Sequence, residues 1–241
     1  MTTFVLVHGA YHGGWCWPRV AAPLRRAGHA VLTPTLTGLG DRAHLLSPEV
    51  GLHTMIEDVV GVFEAEELDG VVLVAHSFGA LPVLGALARI ARQVEHVVIL
   101  DGIVVPPGEI GFAGLSDEVV RDRRAAARAH PSAVAIPPPP AEFFGVTEPV
   151  DHAWVTRRLR AHPLRSYTEP LPVQGPVDAG LPVTYLRCTS PVFPGLGGAE
   201  QVVRDQAWSH RTIPATHDAM ITHPDLLVAE LLRATRARRG G

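Results

Sequence analysis

The feature that most constrains this chain is a strand-like apolar run that leads directly into a serine turn. Val71-Val72-Leu73-Val74 is uniformly apolar, as expected of a strand buried on both faces of a parallel sheet. The next five residues, Ala75-His76-Ser77-Phe78-Gly79, match the small-x-Ser-x-Gly form of a nucleophile elbow, a sharp strand-to-helix turn that exposes a serine hydroxyl above the sheet. The alternative is a surface turn that contains a serine by chance. The position between a strand and a helix favours Ser77 as a catalytic nucleophile.

A second apolar run, Phe4-Val5-Leu6-Val7, predicts another buried strand, and His8-Gly9-Ala10 follows it immediately. In folds with a nucleophile elbow, the loop after such a strand and the residue after the nucleophile supply backbone N–H groups to an oxyanion hole. We therefore expect the amides of Ala10 (or Gly9) and Phe78 to stabilise developing negative charge. For His8 we expect a structural role beneath the loop.

A histidine near the C-terminus is predicted as the general base, because a triad on this fold runs in the chain order serine, acid, histidine. Thr216-His217-Asp218-Ala219-Met220-Ile221 follows the short apolar strand Thr212-Ile213. A helix is expected next, with Thr222 as its N-cap and Pro224 in its first turn. Of the thirteen histidines, His217 is the one whose position suits an imidazole that reaches Ser77.

The acid of the triad is predicted at an earlier strand than usual. The loop after the strand at residues 181–187 runs from Cys188 to Pro194 and contains no carboxylate, while Glu200 and Asp205 come too late for a short loop. Val97-Val98-Ile99-Leu100 is another buried strand, and Asp101 follows its C-terminal end. Catalytic groups gather outside the carboxyl ends of the strands in open α/β sheets. We therefore expect Asp101 to orient His217; the alternative is a carboxylate that only caps the next segment.

Strands and helices are predicted to alternate along most of the chain. A first helix is expected at residues 17–27 and ends before Gly28. A second is expected after a capping box formed by Thr54 and Glu57, and a third at residues 80–92. This alternation implies an α/β fold with a mostly parallel sheet and helices on both faces. We assign residues 1–101 and 181–241 to this core.

Residues 102–180 break the alternation and are predicted to form a helical cap over the nucleophile. Ser116-Asp117-Glu118 begins a helix, Pro137-Pro138-Pro139-Pro140 interrupts the chain with no alternating strand pattern around it, and residues 151–160 form a second helix. The arginines of the first helix are expected on a solvated face. The candidate pocket residues, each of which could instead be ordinary core, are Tyr11, His12, Phe143, Phe144 and Trp154.

Composition narrows the classes of partner. The net charge is −3, with 21 arginines scattered among 24 acids, which does not favour nucleic acid or an anionic membrane. No run reaches membrane-spanning length, and we expect no secretory leader because the early apolar run is only as long as a strand. Cys16 and Cys188 lack metal or redox spacing. We expect a cytoplasmic enzyme with a small-molecule substrate and neither cofactor nor metal; a homodimer is left open.

Two longer blocks carry a family resemblance. Phe4 to Trp17, read as FVLVHGAYHGGWCW, and Thr33 to Arg42, read as TPTLTGLGDR, together with the His217 segment, resemble the plant methylesterase and hydroxynitrile-lyase branch of the α/β-hydrolase superfamily. The match covers about the first hundred residues and the last thirty. The absence of asparagine and lysine suits a bacterial member with a GC-rich genome.

The resemblance implies a capped serine hydrolase that acts on a small, largely apolar ester, thioester or lactone. Hydroxynitrile lyases carry a threonine where Gly9 stands and a lysine where Asp218 stands, so cyanohydrin cleavage is disfavoured. Two alternatives stay open at this point. One is an elimination or cyclisation in natural-product biosynthesis with His217 as base. The other is a non-catalytic ligand-binding protein of the same fold, which the presence of Ser77 and His217 disfavours.

Overall fold

The computed structural model describes residues 1–236 and contains a six-stranded parallel sheet. In chain order the strands are β1 (Thr3–Val7), β2 (Ala30–Leu32), β3 (Val71–His76), β4 (Val94–Leu100), β5 (Ala135–Ile136), β6 (His162–Pro163), β7 (Val183–Cys188) and β8 (Ser209–Ile213). The main sheet has the order β2-β1-β3-β4-β7-β8, and β5 and β6 form a separate antiparallel pair. The predicted α/β fold with a mostly parallel sheet is confirmed.

The central strands are apolar because both faces of the sheet are covered. Every residue of β3 is buried, as is the C-terminal half of β4. Helices cover the sheet, with α1 packed against α9 and α2 against α3. The helices are α1 (Pro18–Arg26), α2 (Leu52–Ala65), α3 (Ala80–Ile90), α4 (Asp117–Ala129), α5 (Pro149–Thr156), α6 (Arg165–Thr168), α7 (Gly197–Asp205), α8 (Ala219–Thr222) and α9 (Pro224–Arg236).

Short 3₁₀ turns join several of these elements. They lie at Gly14–Cys16, Gly40–Leu45, Ser77–Gly79, Ala91–Gln93 and Ala141–Phe144. Within residues 1–236, no helix combines the length and apolar character needed to cross a membrane.

Two predicted helix starts are wrong. Helix α2 begins at Leu52, two residues before Thr54, and the Thr54 hydroxyl instead accepts a hydrogen bond from the Gly51 amide. Thr222 does not cap α9; it ends α8, and its hydroxyl donates to the carbonyl of Asp218. Both errors have one cause, because a hydroxyl in the first or last turn can serve backbone groups on either side of it. Ser116 does cap α4 as predicted, accepting from the Val119 amide at 3.3 Å.

The segment between β4 and β7 contains α4, α5 and α6, as a helical insertion should. It also contains the short β5–β6 pair, which the sequence analysis did not expect next to the proline run. The second predicted helix is shorter than residues 151–160: α5 begins at Pro149 and ends at Thr156. A two-residue strand leaves no detectable alternation in the sequence, so its pairing could not be predicted.

Candidate active site

Ser77 lies at the elbow between β3 and α3. Its φ of +52° is in the left-handed region, which a non-glycine residue adopts only when its surroundings hold it there. The turn is tight against the loop after β1: a Cβ atom on Gly79 would lie 2.5 Å from the carbonyl oxygen of His8. A Cβ on Gly9 would lie 2.8 Å from the Cβ of Ser77. Glycine at both positions therefore allows the two segments to touch.

His217 joins Ser77 to Asp101 in one hydrogen-bonded chain. The Nε2 atom of His217 lies 2.9 Å from the Oγ of Ser77, and its Nδ1 lies 2.8 Å from the Oδ2 of Asp101. Because a carboxylate can only accept, Nδ1 carries the proton and Nε2 is free to accept from the serine hydroxyl. This arrangement suits proton removal from Ser77. The residues come from β3, β4 and the loop after β8, which meet at the carboxyl edge of the sheet.

Asp101 is completely buried and is held by more than the histidine. Its Oδ1 accepts from Nη1 of Arg187 at 2.8 Å and from the Cys188 amide at 3.1 Å. Arg187 also donates to the carbonyl of Phe193 at 3.2 Å. These donors, together with the His217 imidazole, satisfy the hydrogen-bonding capacity of the buried Asp101 carboxylate and hold it in place.

The other carboxylates weighed as the acid have different partners. Asp178 accepts from the indole N–H of Trp208, Asp205 accepts from the side-chain amide of Gln201, and Glu200 lies 3.7 Å from Nε of Arg187. None of these three bonds His217.

Phe193 is a site residue that the sequence analysis missed. Its ring stacks on the His217 imidazole, with ring centroids 3.6 Å apart and planes 13° apart. The Phe144 ring lies beside this stacked pair, 6.2 Å from the imidazole and 6.4 Å from the Phe193 ring. The sequence signal for Phe193 is an aromatic residue in the loop at the carboxyl end of a strand, where the groups of a site gather in open α/β sheets.

The loop after β1 is fixed by the insertion. Tyr11 has a φ of +67°, its amide donates to Nδ1 of His162 at 3.4 Å, and its carbonyl accepts from the Arg160 amide at 2.9 Å. The amide of Ala10 donates no hydrogen bond to any residue within 1–236. It is therefore available to a ligand beside Ser77.

A buried ion pair lies behind this loop. His12 donates from Nδ1 to the carbonyl of Ala10 at 2.7 Å and from Nε2 to Asp218 at 3.0 Å, so both ring nitrogens carry protons. Burial alone would lower the pKa of His12, but the charge and hydrogen bond of Asp218 outweigh it and the pKa is raised. The predicted pocket residue His12 thus lies beneath the loop and not in the pocket.

Three other buried histidines are neutral. His8 donates to the carbonyl of Gly9 and accepts from the Leu36 amide, and burial lowers its pKa from 6.5 to about 4. Burial also lowers the pKa of His76 and His162 well below the usual value. Two of these rings hydrogen-bond the backbone of site residues: His76 donates to the carbonyl of His217, and His162 accepts from the Tyr11 amide. The structural role predicted for His8 agrees with these contacts.

Two adjacent cavities that share several lining residues lie at the site, and Ser77 lines the inner one. The inner cavity has a volume of about 50 Å³ and is lined by Ser77, Ala10, Phe144 and Phe193 among others. The outer cavity has a volume of about 460 Å³ and is lined by α4, the proline run and Phe143. Both are walled mainly by apolar and aromatic side chains.

The structure brings some predicted pocket residues to these cavities and not others. Tyr11, Phe143 and Phe144 line the inner cavity. Trp154 lines neither; its indole packs edge-on against Trp15, and the guanidinium of Arg158 lies 4.8 Å from the ring. The prediction that Trp154 lines the pocket is therefore wrong, because its position on α5 directs the indole toward Trp15.

Two of the four arginines of α4 depart from the prediction of a solvated face. Arg121 and Arg128 are exposed as expected, whereas Arg123 and Arg124 are half-buried. Arg123 lines both cavities. No group of three or more His, Cys, Asp or Glu side chains in the described part of the chain could hold a metal ion.

An open parallel sheet with a serine at the elbow after β3, joined by histidine to a buried aspartate, defines the α/β-hydrolase fold. Residues 4–230 match the family model described as alpha/beta hydrolase family, and the chain belongs to this family of enzymes. A carbendazim-hydrolysing esterase from Nocardioides sp. (strain SG-4G) is 38% identical over 248 residues, which cover 96% of this chain and 98% of the relative. The chain is therefore an enzyme of the α/β-hydrolase family.

The plant branch is represented by shorter matches. Methyl jasmonate esterase 1 of Vitis vinifera is 32% identical over 127 residues, or 52% of this chain and 48% of the relative. Among solved structures, an extracellular α/β-hydrolase from a Paenibacillus species superposes with a TM-score of 0.85 at 19% identity, over 97% of this chain and 99% of that one. The predicted resemblance to plant methylesterases is confirmed, and the structural match supports the fold.

Proposed function

We propose that this protein is a serine esterase that cleaves a small, largely apolar carboxylic ester through a covalent acyl-enzyme. The observation that carries the proposal is the hydrogen-bonded chain from Ser77 through His217 to the buried Asp101, with both links below 3.0 Å. The esterase name of the full-length relative supports the same reaction class. Thioesters and lactones use the same chemistry and belong to the proposed substrate range.

In the proposed reaction, Ser77 Oγ attacks the carbonyl carbon while its proton passes to Nε2 of His217. The amides of Ala10 and Phe78 stabilise the oxyanion of the tetrahedral intermediate. His217 then returns the proton to the leaving group, and water repeats the sequence to release the acid. Asp101 holds the imidazole in the correct tautomer and stabilises its protonated form. No step requires a cofactor.

The cavities indicate how a substrate would lie. The scissile carbonyl would occupy the inner cavity beside Ser77, where space is small, and an apolar chain would extend into the larger outer cavity. Phe193 and Phe144 cover the His217 ring and exclude water from that side. In this proposal residues 102–180 act as the cap. The cytoplasmic location and the homodimer stay predictions.

Labelling with a fluorophosphonate probe tests the function. We expect wild-type protein to react at Ser77 and to hydrolyse short-chain 4-nitrophenyl esters, and Ser77→Ala to lose both while keeping its fold. Ser47→Ala is the matched control, since Ser47 bonds only neighbouring residues far along the chain from the elbow. Unchanged turnover in Ser77→Ala would exclude the nucleophile. Turnover that is reduced only a few-fold in Ser77→Ala but lost in His217→Ala would instead indicate an elimination led by His217. No reaction in the wild type would favour a binding protein.

A further inference from the structure

Among residues 1–236, Arg123 is the one charged side chain that lines both cavities. It lies on α4, half-buried, at the junction between the inner cavity that contains Ser77 and the outer cavity. Asp122 lines the outer cavity but not the inner one, and it forms no ion pair with Arg123. The remaining lining near Arg123 is apolar or aromatic.

The guanidinium of Arg123 has aromatic neighbours but no counter-ion. Its carbon lies 5.6 Å from the ring of Tyr167 and 6.0 Å from that of Phe112. Among residues 1–236 it makes no ion pair with a carboxylate. Burial raises the pKa of Tyr167, although the charge of Arg123 and a hydrogen bond from it act in the opposite direction, and burial also raises the pKa of Tyr11. Both phenols are therefore uncharged, and Tyr167 offers Arg123 a hydrogen bond but no negative charge.

Two other partly or fully buried arginines of this chain are neutralised, since Arg187 pairs with Asp101 and Arg211 pairs with Glu230. Arg124 and Arg158 are half-buried like Arg123 and form no ion pair among residues 1–236, but they line neither cavity. Arg123 is half-buried and has a hydrogen-bond partner in Tyr167 but no counter-ion, so its charge is suited to an anionic group brought by a ligand. The planar guanidinium fork matches a carboxylate better than any neutral group does.

Building on the proposed esterase function, we infer that Arg123 binds a carboxylate carried by the substrate at the end remote from the scissile ester. The preferred substrates are then half-esters: compounds with an apolar spacer, an ester that reaches Ser77 and an anionic group that reaches Arg123. Arg123 acts as a specificity residue, because it touches the substrate but not the reacting atoms.

Matched ester pairs test this inference. The 4-nitrophenyl half-esters of adipic and suberic acid are compared with neutral esters in which an isopropyl group replaces the free carboxyl, and the readout is the ratio of kcat/KM, anionic over neutral. We expect this ratio to fall about tenfold or more in Arg123→Met, since hydrogen bonds to a charged group are strong. Arg123→Lys, which keeps the charge, should retain most of the ratio.

Arg124→Met is the matched control. Arg124 is the next residue of the same helix and also lies over Phe112, at 5.9 Å, but it lines neither cavity. Its ratio should equal the wild-type ratio. Arg123→Gln provides a second replacement if Arg123→Met does not fold. A ratio that is unchanged in the Arg123 variants, or an equal fall in Arg124→Met, overturns the inference.

Failure of the inference and failure of the proposed function give different results. If only the role of Arg123 is wrong, the wild type still hydrolyses the neutral esters and Ser77 still reacts with fluorophosphonate, while the ratio does not depend on Arg123. If the esterase function is wrong, neither ester is hydrolysed and the probe does not react in any variant.

Discussion

Three residues of the site, Tyr11, Ser77 and Asp101, have a positive φ although none is glycine. Each such conformation costs about 1–3 kcal/mol and persists only where neighbours fix it. The neighbours are identifiable: Ile103 donates to the carbonyl of Ser77 at 3.0 Å, and the Asp101 amide donates to the carbonyl of Leu186 at 2.9 Å. The strained residues are therefore held by backbone contacts, which point their side chains at His217 and the cavity.

Replacing the carboxylate of Asp101 tests its role at this scale. In Asp101→Asn the amide can donate to Nδ1 of His217, which favours the wrong tautomer; in serine proteases the same change lowers kcat about 10⁴-fold. We expect a loss of similar order in kcat for 4-nitrophenyl ester hydrolysis. Asp205→Asn is the control, because in the described part of the chain the Asp205 carboxylate bonds Gln201 and not His217. A near-normal kcat in Asp101→Asn would show that Asp101 is not the acid of the triad.

Arg187 is predicted to act through Asp101 and Phe193. Its side chain is 7% exposed, so Arg187→Met leaves the Asp101 charge buried without its cation, which typically costs about 3–5 kcal/mol of unfolding free energy. The loop that carries Phe193 also loses a contact. Urea unfolding measures the effect. Arg204→Met is the control, since Arg204 is 63% exposed and its contact with Glu200 is weak; an equally small change in both variants would contradict the prediction.

At the scale of elements, the site depends on three segments that touch one another: the loop after β1, the elbow and the insertion. The insertion supplies the Arg160 amide and the His162 ring to Tyr11, so it fixes the loop that carries the Ala10 amide. His162 is held in turn by Ser166 at 2.8 Å. The proposed cap therefore does more than cover the nucleophile, because it also holds the loop of the proposed oxyanion hole.

Two glycine-to-alanine substitutions distinguish the effect of a steric clash at the elbow from the effect of helix propensity on stability. A Cβ in Gly79→Ala would lie 2.5 Å from the backbone oxygen of His8, so the loop after β1 must move; we expect a loss of about 1–3 kcal/mol of stability and a lower kcat. Gly61→Ala, in α2, meets no atom within 4 Å and should stabilise by about 0.5–1 kcal/mol. Thermal unfolding and ester turnover measure both effects. Equal behaviour of the two variants would show that the contact at Gly79 is unimportant.

For the whole molecule, the parts that the sequence predicted are those with a strong local signal. The apolar runs at residues 71–74 of β3 and 97–100 of β4 were enough to predict Ser77 and Asp101 at the carboxyl edge of one sheet. The contacts that could not be predicted join segments distant in the chain: Arg187 to Asp101, His162 to Tyr11 and Arg123 to the cavity. In the insertion, the sequence of α4 does not show which of its charged residues face the core. Arg123 was consequently expected in solvent.

The buried histidines predict how stability depends on pH. Between pH 6.5 and about 4 the unfolded chain binds a proton at His8 that the folded protein does not, so the free energy of unfolding falls as the pH falls. His8 alone should cost about 2 kcal/mol between pH 7.5 and pH 5, and His76 and His162 act in the same direction. The raised pKa of His12 adds stability that is fully present below its unfolded pKa and is lost only as the pH rises through the folded value.

Urea unfolding at pH 7.5 and pH 5 checks this prediction. His44→Gln, which removes an exposed histidine, should show the wild-type difference in unfolding free energy between the two pH values. His8→Gln should show a smaller difference. A wild-type protein equally stable at both pH values would contradict the assignment of neutral buried histidines.

The most direct test of the proposed triad is to detect the acyl-enzyme itself. The protein is mixed with excess 4-nitrophenyl butyrate, quenched with acid within the first turnover, and analysed by intact mass and peptide mapping. A covalent intermediate predicts one butyryl group per chain, on the peptide that contains Ser77, with a matching burst of nitrophenol. Ser77→Ala should give neither. Steady hydrolysis in the wild type with no butyryl adduct on Ser77 and no burst, while Ser77→Ala turns over normally, would contradict nucleophilic catalysis by this serine.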